Sequence, residues 1–290
     1  MKAIVNKSDL GRRRAILEFD GDGTLYENVL LSIFESRGYS KEVFEEFMSK
    51  IISSDEIFRE TCDHTDSDNG WLYLFDEEGR NGLLKGMTFS QLVSVGRVLE
   101  RHLYPGVPEF IPALRAKYNN NPNSDINVYF FLQSSGFKDV VDNNSVGKAL
   151  DETWGIKYYP KGWKNDLICD MPRGTLSGLQ KLRAVANIAE RVNGHDEYYQ
   201  NVIYVSDKRR SDRSAIAGVF REGGVNICVG NSYEELEERR KEKNSRKIAH
   251  FALADYTLGG GTYNLLCDII EKIAERPRLP EIYSNPSGSK

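Results

Sequence analysis

Five short apolar runs punctuate this 290-residue chain, near 14–19, 127–132, 201–206, 225–229 and 250–254. Their apolar residues are nearly continuous rather than alternating, the pattern of strands buried on both faces. Between them the apolar spacing changes to that of helices. Leu179, Leu182, Val185, Ala186, Ala189 and Val192 trace one helical face that ends near Asn193-Gly194. Ser232-Tyr233-Glu234-Glu235 is a capping-box pattern opening a charged, solvated helix through Lys243. Strands alternating with helices predict an α/β protein with a Rossmann-like parallel sheet flanked by helices on both faces.

One long stretch breaks the alternation. Leu30-Leu31-Ile33-Phe34, then Val43, Phe44, Phe47, Met48, Ile51 and Ile52, then Leu83, Leu84, Met87, Phe89, Leu92, Val95 and Leu99 all carry helical spacing. This predicts an inserted, mainly helical unit over 27–104, a discontinuous core formed by 1–26 and 105–275, and a loose tail over 276–290. Residues 156–176 predict a short β excursion, with Tyr158, Tyr159, Trp163, Leu167 and Ile168 interrupted by Lys-Gly and Pro-Arg-Gly turns.

Length fits a large domain plus a smaller one. A net charge of −4 argues against a general nucleic-acid binder, because affinity for a phosphate backbone needs a basic surface. The first ten residues are charged and lack the apolar core of a signal peptide, and no later run is long enough to span a bilayer. A cytoplasmic protein without membrane partners is the expectation. Cys62, Cys169, Cys228 and Cys267 are widely spaced, as expected of reduced thiols rather than of a disulfide framework or a zinc site.

The chemistry gathers where strands end. Asp20 and Asp22 lie two apart in Phe19-Asp20-Gly21-Asp22-Gly23-Thr24-Leu25, just after an apolar run. Two acids held close repel unless a hard cation or a shared proton intervenes. Val128–Gln133 runs into Ser134-Ser135-Gly136-Phe137, read as a strand followed by a loop entering a helix. A hydroxyl and free backbone N–H groups at such a turn suit a phosphoryl oxygen. Lys181 opens a later helix with Arg183 as the rival cation, and the run ending at Ser206 leads into Asp207 and Asp212.

These four segments, in this order, resemble the motifs of the haloacid dehalogenase superfamily, and the insertion resembles its first class of helical cap. The resemblance implies a magnesium-dependent phosphatase acting through an aspartyl-phosphate. Asp20 would be the nucleophile and Asp22 the acid and base. Thr24, Ser134 and Lys181 would hold the phosphoryl oxygens, with Ser135 and Gly136 in the same loop. Mg2+ would sit on Asp20, the backbone carbonyl of Asp22, and Asp207, while Asp212 supports the metal shell or orients Lys181. Ser206 stands where many relatives have glycine, a change that removes no ligand. The implied partner is a small phosphorylated molecule. The loop at Ser134 is similar to that of phosphoserine phosphatases, yet Val29 stands where those enzymes carry a glutamate, and Glu27 is two residues away, so phosphoserine is not favoured. Arg59, Arg80, Lys85 and Arg97 are the cations of the insertion that could meet a carboxylate or a second phosphate. A phosphotransferase or phosphomutase with the same intermediate would share these motifs and is the alternative; a non-catalytic phosphate-binding relative is a further one, against which the intact acids count, since such a role would not require all of them.

Overall fold

The computed structural model describes residues 11–49, 87–156, 178–194, 199–207, 210–242 and 245–276. Its centre is a six-stranded sheet in the order β3-β2-β1-β4-β5-β6, every neighbouring pair parallel. The strands are β1 (Arg13–Asp20), β2 (Ile126–Phe137), β3 (Glu152–Ile156), β4 (Val202–Ser206), β5 (Val225–Gly230) and β6 (His250–Leu253). All five predicted runs are strands of this sheet.

β1 is buried on both faces, which explains its unbroken apolar run. Side chains alternate across a strand, so Ala15, Leu17 and Phe19 face one way and Ile16, Glu18 and Asp20 the other. The first set joins the larger core, where Phe19 meets Phe110 edge-on at 5.6 Å and Phe110 meets Tyr256 at 4.8 Å. Helices Val29–Ser36, Val107–Leu114 and Gly261–Glu275 contribute to that side. Ile16 belongs to the second core with Tyr129, Phe131, Tyr204 and residues of helices Leu179–Asn193 and Arg213–Arg221. Glu18 and Asp20 therefore point toward the helix that carries Lys181.

Three details depart from expectation. β2 does not give way to a loop at Ser134; it stays extended to Phe137, with a register shift against β3 between Gln133 and Phe137. β3 is an additional edge strand that ends at the first residue of the predicted excursion over 156–176, the rest of which lies outside the described residues. On helix Leu179–Asn193 the buried face is Lys181, Ala184, Val185, Ile188, Ala189 and Val192; Leu179 is 57% exposed. The apolar stripe is thus rotated, and the lysine occupies its centre rather than its border.

Within the predicted insertion, Val29–Ser36, 41–49, Phe89–Ser94 and Gly96–Leu99 are helical, whereas 50–86 lie outside the described residues, with Arg59, Arg80 and Lys85 among them. Arg97 is exposed. The chain leaves this stretch through Gly106, whose φ of +78° is a left-handed conformation that glycine adopts without strain. A Cβ there would stand 2.2 Å from the backbone of Tyr256 and Thr257. Among the described residues no helix is long and apolar enough to cross a membrane. Cys228 and Cys267 are buried and form no disulfide among the described residues; Cys62 and Cys169 lie outside them.

Candidate active site

The sheet order reverses direction at β1: the chain builds outward through β2 and β3 on one side and through β4, β5 and β6 on the other. In open α/β sheets such a switch point leaves a crevice at the carboxyl ends of the strands, where ligands bind. Asp20 is the last residue of β1 and stands opposite Gln133, one residue before Ser134. Asp207 follows the last residue of β4, and Asp212 ends the short turn Arg210–Asp212 that leads into helix Arg213–Arg221. All the predicted acids and Ser134 therefore meet at one sheet edge.

Lys181 ties the acids together. Its Nζ donates to Asp20 Oδ1 at 2.5 Å and to Asp212 Oδ1 at 2.6 Å, and its side chain is 1% exposed. The amide of Gly178, just before its helix, donates to Ser211 O at 2.9 Å, joining the start of that helix to the turn that carries Asp212. Tyr204, also fully buried, donates its hydroxyl to Asp212 Oδ1 at 2.9 Å. Burial opposes the ammonium charge, but Asp20 and Asp212 outweigh it and hold the Lys181 pKa above its ordinary value. For Asp20, burial and then the charge of Asp212 push the carboxyl well above the usual range, with Lys181 pulling the other way. Arg183, the alternative cation, is exposed and takes no part.

Carboxylate oxygens of Asp20, Asp207 and Asp212 all lie within 4.8 Å of one another, and all three residues are buried. Three carboxylates against one ammonium leave a surplus of two negative charges, partly offset by Arg239 Nη2 at 3.9 Å from Asp207 Oδ2. Asp212 Oδ2 is buried without a hydrogen-bond partner. An all-oxygen donor set with that charge fits a hard divalent cation, which would also reverse the upward pressure on Asp20.

Asp22 has a different setting. It is only partly buried, and its Oδ1 accepts from the amide of Val29 at 2.6 Å, the first residue of helix Val29–Ser36. Its carboxylate thus rests on a helix amino terminus, where the dipole favours negative charge. Ser134 is 1% exposed, and its Oγ accepts from the amide of Gly136 at 2.8 Å. A Cβ on Gly136 would come within 2.5 Å of Val29 Cγ1 and 3.4 Å of Asp22 Oδ2, so the absence of a side chain lets the end of β2 pack against Asp22. Thr24 is fully buried and its Oγ1 has no hydrogen-bond partner, while Tyr256 donates to its carbonyl at 3.0 Å. Ser135 is half-buried on the opposite side of the extended strand from Ser134.

Sequence reasoning missed Tyr204, Tyr26 and Glu18. Tyr204 had a readable signal, since it shares the alternate face of β4 with Val202 and so points toward the Lys181 side. Tyr26 donates to Ser134 Oγ at 3.4 Å, a contact across the chain with no local signature. Glu18 is an acid within an apolar strand, fully buried and hydrogen-bonded by Gln133.

No protein-family model and no curated protein sequence matches the chain. Solved structures do, and the likeness is one of fold: among those that superpose are phosphoserine phosphatases and a haloacid dehalogenase family hydrolase. A phosphoserine phosphatase captured as a phospho-aspartyl intermediate analogue superposes with a TM-score of 0.53 at 17% identity, covering 83% of this chain and 94% of that one. A haloacid dehalogenase family hydrolase from Salmonella enterica serovar Typhi gives a TM-score of 0.56 at 17% identity, over 88% of this chain and 70% of its own. A probable phosphoserine phosphatase from Vibrio cholerae gives 0.56 at 17% identity, over 90% and 65%.

Proposed function

We propose that the protein is a magnesium-dependent phosphatase that hydrolyses a small soluble phosphomonoester through an aspartyl-phosphate. The observation that carries this reading is the Lys181 bridge: one buried ammonium within 2.6 Å of both Asp20 and Asp212, with Asp207 beside them, at the switch point of the sheet. A structural ion pair needs one acid; a phosphoryl-transfer site needs a nucleophile, a cation and spare acids for a metal.

In the first half-reaction an oxygen of Asp20 bonds to phosphorus as the bond from phosphorus to the alcohol oxygen breaks, and Asp22 gives that oxygen its proton. In the second, water attacks the same phosphorus, Asp22 takes up the water's proton, and the Asp20 carboxylate leaves with free phosphate as product. Splitting the displacement in two lowers each barrier. The partly exposed position of Asp22 suits it to this exchange, and its bond to the Val29 amide holds it near the end of β2 that carries Ser134 and Gly136. Lys181, Thr24 and Ser134, with the Ser135 and Gly136 segment beside them, would hold the phosphoryl oxygens where charge gathers. Mg2+ bound by Asp20, Asp207 and the Asp22 carbonyl, with Asp212 in support, would neutralise charge between nucleophile and phosphate. The stretch 27–104 would act as a cap that selects substrate, and the enzyme would work in the cytoplasm.

Phosphate release from p-nitrophenyl phosphate and a panel of metabolite monophosphates, in magnesium or EDTA, tests this. Release that needs magnesium and disappears in folded Asp20→Asn supports it. Phosphate-neutral isomerisation or transfer to another alcohol would replace hydrolysis with the mutase or transferase reading, and metal-dependent phosphate binding without turnover would make the protein a silent relative.

A further inference from the structure

The phenol of Tyr26 enters the site from beneath. Tyr26 follows Asp22 by four residues on a turn that closes when the amide of Gly23 donates to Tyr26 O at 2.7 Å. The ring is fully buried, and its hydroxyl donates to Ser134 Oγ. The space it occupies belongs to the residue between the two acids. A Cβ on Gly21 would stand 2.1 Å from the Tyr26 hydroxyl oxygen, 2.8 Å from Cζ and 2.9 Å from Ser134 Oγ. Glycine at position 21 is therefore the sequence counterpart of tyrosine at 26: one gives up a side chain so that the other can reach the serine.

A phenylalanine would fill the same core volume, so the hydroxyl needs its own account. Serine has two acceptor lone pairs and one donor proton. Ser134 Oγ accepts from the Gly136 amide at 2.8 Å and from Tyr26 at 3.4 Å, which engages both lone pairs. Its proton can then only be given away. Free to rotate, a serine hydroxyl meets an anion in either sense; with both lone pairs engaged, it meets the anion as a donor. A phosphoryl dianion presents acceptors alone, so a preset donor is the useful state. At 3.4 Å this is a long hydrogen bond, of the kind that tightens when a ligand engages the same hydroxyl. Burial and the neighbouring charges of Asp22 and Asp20 hold the phenol's pKa well above its ordinary value, so it remains a donor across the working pH range.

We propose that Tyr26 is a positioning residue for phosphoryl recognition, holding Ser134 as an obligate donor to a phosphoryl oxygen, with Gly21 supplying the room. The inference rests on reading this site as a phosphoryl pocket. It differs from that reading in its own demand: Tyr26 acts through Ser134 and nowhere else.

Calorimetric titration of inorganic phosphate into the magnesium-loaded protein tests it in the wild type, Tyr26→Phe, Ser134→Ala and the double variant. Tyr26→Phe keeps the ring and removes one oxygen, and thermal melting checks that each variant is folded. The expected result is about a fivefold weaker dissociation constant in Tyr26→Phe, a larger loss in Ser134→Ala, and no further loss in the double variant. A merely structural tyrosine would weaken phosphate equally with and without the serine hydroxyl, and that additivity overturns the proposal. So does Tyr26→Phe binding phosphate as tightly as the wild type. Failure of the wild type itself to bind phosphate removes the phosphoryl-pocket reading and this inference together.

Discussion

Replacing Glu18 by glutamine should flatten the protein's loss of stability with rising pH. Glu18 is buried in the middle of β1, and burial pushes its carboxyl up from 4.5 to about 8, against the lowering effect of the Gln133 amide. The other carboxylate oxygen, Glu18 Oε1, and the amide oxygen, Gln133 Oε1, are both buried without partners, and in the ionised state both are acceptors. Protonation turns one of them into a donor. Because the folded pKa is raised, the folded protein keeps a proton that the unfolded chain releases. Stability is therefore full below pH 4.5, falls as pH rises, and levels off near pH 8. At about 1.4 kcal/mol for each pH unit the whole decline is roughly 5 kcal/mol between 4.5 and about 8. Glutamine carries no such proton. Urea denaturation in EDTA at about pH 5.5 and about pH 7.5 should show the wild type losing about 3 kcal/mol relative to Glu18→Gln over that interval. If the two proteins keep the same difference in unfolding free energy at both pH values, Glu18 does not titrate with folding and the reasoning fails.

Lys181→Met should cost about 3–5 kcal/mol in metal-free protein at neutral pH, since it strands buried carboxylates, and the cost should shrink in acid; an unchanged urea midpoint would contradict the bridge. Gly106→Ala combines a left-handed backbone with a Cβ 2.2 Å from the Tyr256–Thr257 backbone, so a loss of about 3 kcal/mol or more is expected by thermal unfolding. Asp22→Asn should slow hydrolysis of an alkyl phosphate by about 10²–10⁴-fold but p-nitrophenyl phosphate far less in its first half-reaction, read as the burst of nitrophenolate. Equal slowing of alkyl phosphate hydrolysis and of the nitrophenolate burst would deny Asp22 the role of acid.

What the sequence could show was local. Strands buried on both faces write themselves as unbroken apolar runs, so five of the six were legible, and each candidate acid stood just beyond such a run. β3 was not, because Glu152-Thr153-Trp154-Gly155-Ile156 forms an edge, where fewer contacts demand fewer apolar residues. Residues Ser134–Phe137 carry loop-forming serine and glycine, yet β3 pairing and close packing on Val29 keep them extended. Lys181 looked like a border residue because helical spacing shows a stripe but not where its centre falls; the acids that bury it lie far away in the chain. Tyr204 and Tyr26 act through contacts between segments, which one-dimensional patterns do not record. Glu18 is a charge inside an apolar run, a local signal that was overlooked, and its partner Gln133 lies on another strand where the pattern does not reach.

The place of β1 between β2 and β4 also orders the events of synthesis. Leu17 pairs with Phe130 on one side and with Ile203 on the other, so the second edge of β1 waits for a strand made long after the first. Until β4 emerges, that edge shows unpaired backbone groups, an open template for the wrong strand. Lys181, Asp207 and Asp212 arrive in the same late portion of the chain. The second edge of β1 is covered in the same late stage that brings Lys181, Asp207 and Asp212 to Asp20, so a nascent chain is exposed to mispairing for as long as the site is unassembled.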